Sequence, residues 1–158
     1  MTADDWPAVR QIYLEGVASG NATFETEAPA WERWDANHHN FSRFVVVTNS
    51  EVIGWSALSS VSTRHAYRGV AEVSVYVAAR ARGLGFGRIL LEALISDAEK
   101  NEIWTLQASI FPENVASIEL HKRCGFREVG RRERIAQLKG IWRDTILLER
   151  RSFVVGTD

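Results

Sequence analysis

Between Arg82 and Arg88 the chain reads Arg-Gly-Leu-Gly-Phe-Gly-Arg, three glycines at alternate positions flanked by cations. Glycine takes positive φ without steric cost, so such a run can curl with its N–H groups turned inward. A helix starting there adds its unpaired first-turn N–H groups and the positive end of its dipole. The chemistry this suits is the holding of phosphate oxygens, with Arg82 and Arg88 as fixed positive charge beside the cup. A Walker loop would need a lysine after its last glycine, and a dinucleotide fingerprint would need glycine at position 88. Neither is present. What fits is Arg-x-x-Gly-x-Gly, read as Arg82, Gly85 and Gly87.

The elements that must position this loop follow from apolar spacing. The run Glu72-Val73-Ser74-Val75-Tyr76-Val77 alternates, which predicts a strand feeding the loop, and residues 88–100 carry a helical stripe. In that strand Val73, Val75 and Val77 face one side and Glu72, Ser74 and Tyr76 the other. Glu72 therefore opens the strand whose far end leads into the glycines, and it is the candidate base. Upstream, Val9, Ile12, Tyr13 and Val17 mark a helix over 4–17. Residues 19–29 are a polar loop with one aromatic, Phe24. Trp31, Trp34, His38 and Phe41 recur at helical spacing, and the two tryptophans are expected in the core. Residues 44–48 and 52–58 form a hairpin, and 59–69 is a polar connection holding Arg64, His65, Tyr67 and Arg68. A strand over 104–110 precedes Pro112. Asn114 is a plausible N-cap for a helix over 115–124, which Gly125 ends. Residues 126–130 and 144–148 are closing strands, joined by the basic segment 131–143. This order predicts an α/β fold: a mixed sheet with helices on both faces.

Composition bounds the class. The chain has 158 residues, 46% hydrophobic and 25% charged, as expected for one globular domain spanning 1–158. A net charge of -1 offers no general attraction to nucleic acid or to an anionic membrane. Cys124 is the single cysteine, so no intramolecular disulfide can form. No signal peptide or apolar run near membrane-spanning length is seen, which makes the cytoplasm the default location. His38 and His39 diverge on a helix and complete no metal site, so no metal is expected.

The loop Arg82–Arg88 resembles the pyrophosphate loop of the GNAT superfamily of N-acetyltransferases, which use acetyl-CoA. A second motif lies at the matching separation. Asn114-x-x-Ser117-x-x-x-His121-x-x-x-Gly125-Phe126 resembles the family's Asn-x-x-Ser/Ala-x-x-x-Tyr-x-x-x-Gly-Phe. The resemblance implies a mostly antiparallel sheet. It also implies that residues 83–88 (Gly83, Leu84, Gly85, Phe86, Gly87 and Arg88) bind the pyrophosphate. Val75, Tyr76 and Val77 would pair with the acetyl-pantetheine end, and Asn114 and Ser117 would hold the pantetheine arm. The family's tyrosine, which can protonate the departing thiolate, is His121 here. Imidazole can also donate a proton near neutral pH, and a packing role is the equal alternative. Members usually open on a strand and only Met1–Ala3 precede the first helix here, so no weight rests on an N-terminal strand.

Residues 67–77, the stretch 22–27 and Lys139-Gly140-x-Trp142-x-Asp144 are similar to the subgroup that acetylates phosphinothricin and methionine sulfoximine. The resemblance implies Glu72 as the base, a homodimer, and Phe24, Arg64, Tyr67 and Lys139 around the acceptor. An aromatic wall with cations suits a carboxylate or a phosphinyl group. Taken singly, Arg64 and Lys139 read rather as solvated loop charges and Trp142 as core. Two alternatives stay open: an N-acetyltransferase for another amine (a protein N-terminus, a polyamine or an aminoglycoside), and a non-catalytic acyl-CoA-binding module.

Overall fold

A computed structural model describes residues 1–157. After a 3-10 turn at Ala3–Asp5 come α1 (Trp6–Ser19), α2 (Trp31–Asn37), β1 (Phe44–Thr48), β2 (Glu51–Ser60) and β3 (Val70–Val77). Then follow α3 (Phe86–Lys100), β4 (Thr105–Ile110), α4 (Val115–Arg123), β5 (Arg127–Leu138) and β6 (Ile141–Arg151). The six strands form one sheet in the order β1-β2-β3-β4-β6-β5. Every neighbouring pair is antiparallel except β3 with β4.

The alternation of each strand sorts its side chains between two layers. On one face Trp55 and Ala57 pack with Trp6, Val9 and Ile12 of α1 and with Trp34 of α2, and Tyr76 joins them. Trp55 is stacked on Tyr76 at 4.7 Å and meets Trp34 edge-on at 5.8 Å. On the other face Leu58, Ala71, Leu106, Ala108 and Leu148 pack with Leu91, Leu94 and Ile95 of α3 and Ile118 of α4, with Val73 and Val75 against them. Helices thus cover both faces, as the pattern predicts, and β3 divides its side chains as its alternation requires.

The feature that makes a site is the shortness of the parallel ladder. It runs only from Val70 opposite Thr105 to Glu72 opposite Gln107. Beyond that point β3 stays in register with β2 up to Val77, and β4 with β6 up to Ile110. The two halves of the sheet part there, and the free backbone edge of β3 past Glu72 faces a cleft.

The C-terminal end differs from the sequence expectation. The basic segment 131–143 is not a connection: β5 and β6 form one long hairpin whose turn is at Lys139 and Gly140, with φ of 50° and 80°. Trp142, expected in the core, is 54% exposed near the tip of that hairpin. The second helix is also shorter than its stripe, since His38 is already extended at φ -120° and ψ 150°.

Candidate active site

A cavity of about 300 Å³ fills the cleft where β3 and β4 part. Its wall takes both faces of β3 because a strand edge, not a strand face, borders it: Glu72, Val73, Ser74, Val75 and Tyr76 all contribute. Opposite stand Ser109 and Phe111, and α4 adds Asn114, Ser117 and His121. These last three lie at i, i+3 and i+7, one stripe of a helix. The roof is the α1–α2 loop, through Asn21, Ala22, Thr23 and Phe24. Phe24 meets Phe111 edge-on at 4.7 Å.

Glu72 sits at the vertex of the cleft, half-buried, opposite Ser59 on one side and Gln107 on the other. Gln107 Nε2 donates to Glu72 Oε2 at 3.3 Å. That contact fixes one carboxylate oxygen and leaves the other without a protein donor among the described residues.

His121 is 3% exposed. Its Nδ1 lies 2.8 Å from the carbonyl oxygen of Ser117, which can only accept, so Nδ1 carries the proton. Nε2 is sealed from solvent with no partner among the described residues. Burial holds the ring's pKa below its ordinary value, against the opposing pull of that carbonyl. At neutral pH the ring is therefore uncharged and presents a lone pair, not a proton, at Nε2. It can donate a proton there only after taking one up.

The glycine loop lies outside this cavity, between a 3-10 turn at Ala79–Ala81 and α3. Gly83 and Gly85 have φ of 77° and 87°, the left-handed region. A Cβ at either would meet nothing within 4 Å, so the loop is bare. The first backbone hydrogen bonds of α3 run from the N–H groups of Arg88 and Ile89 to the carbonyl of Gly85. The N–H groups of residues 83–87 have no acceptor among the described residues. Successive unpaired N–H groups on a turn opening the 15-residue helix α3 fit an anion such as a diphosphate. Arg82 is exposed and donates from Nε to the Val77 carbonyl at 3.3 Å. Arg88, expected as fixed positive charge, is exposed and paired with Glu92 at 2.7 Å. At Gly87 the helix packs closely instead: a Cβ there would come 3.1 Å from the Leu120 side chain of α4.

Asn114 caps α4, its Oδ1 accepting from the Ser117 N–H at 3.3 Å, while Nδ2 donates to the Asn21 carbonyl at 3.2 Å. Arg143 of β6 ties down the same loop, donating to the Gly20 carbonyl and to Asn21 Oδ1, each at 3.0 Å. A second cavity of about 310 Å³ lies beneath that loop and shares Thr23, Ser59, Ser74 and Tyr76 with the first. Its walls include Tyr13, Trp34 and Trp55, with Glu25, Glu27 and Arg33 as its charged groups.

Of the residues singled out from sequence, Glu72, Val75, Tyr76, Asn114, Ser117, His121 and Phe24 line one cavity. Val77 and the loop 82–88 continue from its β3 end. Arg64, Tyr67 and Lys139 line neither cavity. Arg64 precedes the 3-10 turn His65–Tyr67 with its guanidinium 5.5 Å over the Tyr67 ring, and Lys139 is exposed in the hairpin turn. Sequence reasoning missed Ser59, Gln107, Ser109 and Arg143. Gln107 and Ser109 are the polar alternates of a strand read only for its apolar side, and Ser59 was assigned to the connection 59–69, although β2 runs on to Ser60. No group of three or more potential metal ligands occurs among the described residues, and no described helix is long and apolar enough to cross a membrane.

Residues 6–126 match the model of the Acetyltransferase (GNAT) family. The phosphinothricin N-acetyltransferase of Alcaligenes faecalis is 33% identical over 93% of this chain and 78% of its own length. The L-methionine sulfoximine/L-methionine sulfone acetyltransferase of Pseudomonas paraeruginosa is 32% identical over 92% of this chain and 88% of that one. Among solved structures, a GNAT superfamily phosphinothricin acetyltransferase from Sinorhizobium meliloti in complex with AcCoA superimposes with a TM-score of 0.89. It is 28% identical, over all of this chain and 89% of that one.

Proposed function

The chain belongs to the GNAT family of acetyltransferases, and on that premise we propose that it moves the acetyl group of acetyl-CoA onto the α-amine of a small amino acid such as phosphinothricin or L-methionine sulfoximine. The observation that carries this reading is the position of Glu72. The carboxylate stands where the parallel ladder ends and lines the cleft bounded by a free strand edge, while the second cavity under the α1–α2 loop reaches its neighbours Ser59 and Ser74.

The residues present fit acetyl-CoA. The unpaired N–H groups of 83–87 suit its diphosphate, and the unpaired edge of β3 at Val75 to Val77 suits the amides of its pantetheine arm. When bound, acetyl-CoA supplies an activated acyl carbon and a thiolate leaving group. The rest is done by the chain. An ammonium has no lone pair to attack with, so Glu72 takes a proton from the acceptor amine, directly or through water. Gln107 keeps that carboxylate aimed. Ser117 lines the cavity between Asn114 and His121, within the groove for the arm. His121, uncharged with a lone pair at Nε2, is a proton acceptor first and a donor only once charged. Holding both reactants in one cleft supplies a large part of the rate by positioning alone.

The acceptor's side chain extends into the second cavity, whose aromatic walls and two carboxylates favour a side chain without negative charge. Neither Arg64 nor Lys139 lines it. The chain pairs as a homodimer; in support, Val129, Ile135, Ile141 and Trp142 are all exposed on the β5–β6 hairpin, and light scattering checks it.

A thiol-release assay with acetyl-CoA tests the function. The panel is L-methionine sulfoximine, L-methionine sulfone, phosphinothricin, the common amino acids, an alanine-headed peptide and a polyamine. The expected result is turnover of the amino acids, with the sulfone and sulfoximine ahead of phosphinothricin. Turnover of the peptide or polyamine alone would overturn the acceptor assignment, and acetyl-CoA binding without thiol release from any amine would overturn the enzyme.

A further inference from the structure

An amino acid presents a carboxylate as well as an amine, and the two cavity linings contain a single cation, Arg33. A second guanidinium reaches the wall from behind. Arg132 of β5 donates from Nη2 to Ser109 Oγ at 2.5 Å and from Nε to Thr145 Oγ1 at 3.2 Å. Ser109 lines the first cavity.

Strand register explains the reach. Arg132 lies opposite Thr145, and Leu147, two residues further on in β6, lies opposite Ser109. Side chains two apart share a face, so Arg132, Thr145 and Ser109 stand on one side of the sheet. Ser109 is also two residues beyond Gln107, the partner of Glu72. The face carrying the carboxylate for the amine thus carries Ser109 about 7 Å further along the adjoining strand. Arg132 is half-buried, and both of its partners are neutral hydroxyls. No acidic side chain pairs with it among the described residues. Because the guanidinium donates to the serine oxygen, the serine's own O–H is left to donate into the cavity.

We propose that Ser109 binds the α-carboxylate of the acceptor, with Arg132 as the positioning residue that orients the hydroxyl and supplies the opposing charge; this rests on the acceptor being an α-amino acid.

The test compares L-methionine sulfone with its carboxamide, which keeps the amine and side chain but lacks the carboxylate. Both are assayed on the unaltered enzyme, Ser109→Ala, Arg132→Gln and Arg132→Lys. The expected preference for the acid on the unaltered enzyme is roughly tenfold or more, the scale of one charge-assisted hydrogen bond. Ser109→Ala and Arg132→Gln should collapse it by raising KM for the acid, with kcat and KM for acetyl-CoA near the original values. Arg132→Lys should restore part of it. Equal turnover of acid and carboxamide by the unaltered enzyme would overturn the proposal while leaving the amino-acid reading intact, and so would a preference that survives both Ser109→Ala and Arg132→Gln. Failure to acetylate either compound while a peptide N-terminus is acetylated would overturn both.

Discussion

His121 illustrates what one side chain can and cannot reveal. Its membership of the second motif is legible because the spacing Asn114-x-x-Ser117-x-x-x-His121 resembles the family's pattern. Its protonation is not, since that depends on burial and on the Ser117 carbonyl one turn back. With the folded pKa held below the ordinary 6.5 by burial, the unfolded chain binds a proton more readily than the folded one. Stability should therefore be complete above about pH 6.5 and fall as pH drops below it. His38, lowered chiefly by burial as well, adds to the same trend. A series of thermal melts from pH 7.5 to pH 5 checks this, and His121→Gln should flatten part of the decline. A Tm indifferent to pH over that range would contradict a buried neutral ring. The substrate-side residues were the least legible: Arg64 and Lys139 carry the expected charge, but the fold leaves both on exposed turns. The guanidinium that reaches the cavity wall, Arg132, was hidden in a run of basic residues with nothing to mark one from another.

At the scale of elements, the glycine loop was read correctly as a bend into a helix because a backbone demand for positive φ leaves a mark in composition. Gly85 carries that demand at φ 87° in otherwise open space. Gly85→Ala meets no clash, so its cost is conformational, about 1–2 kcal/mol. The expected outcome is a modestly lower Tm with weaker acetyl-CoA binding, on the order of tenfold, as the N–H groups lose their alignment. Calorimetric titration measures it, and unchanged affinity would remove the loop from the binding site. The hairpin β5–β6 was misread for an equally physical reason. Its outer strand is a sheet edge with polar residues on both sides, so the period of two that signals a half-buried strand is absent. A register shift between Arg132 and Ala136, with Arg134 at φ 46°, breaks the pattern again. Trp142 followed that error, since a tryptophan near a hairpin tip has no layer to pack beneath.

The whole molecule is two packed layers on a sheet that comes apart at one point. The helix pairs α1/α2 and α3/α4 each hold their half of the core, and neither alone makes a site. The cleft exists because β3 leaves β4 after three residue pairs, a tertiary event that no local pattern announces. Glu72 marks the place, with the glycine loop reached along β3 in one direction and the aromatic cavity under the α1–α2 loop opening beside it. In the proposed reaction Glu72 is the base, so replacing its carboxylate by an isosteric amide removes that function and leaves the rest of this architecture unchanged. The most direct test is therefore Glu72→Gln, with acetyl-CoA affinity measured by calorimetry and turnover of L-methionine sulfone by thiol release at neutral pH. The account expects affinity within about twofold of the original and kcat lower by on the order of 100-fold or more, the usual contribution of a general base. Turnover that is unchanged while the amine still acetylates would contradict it.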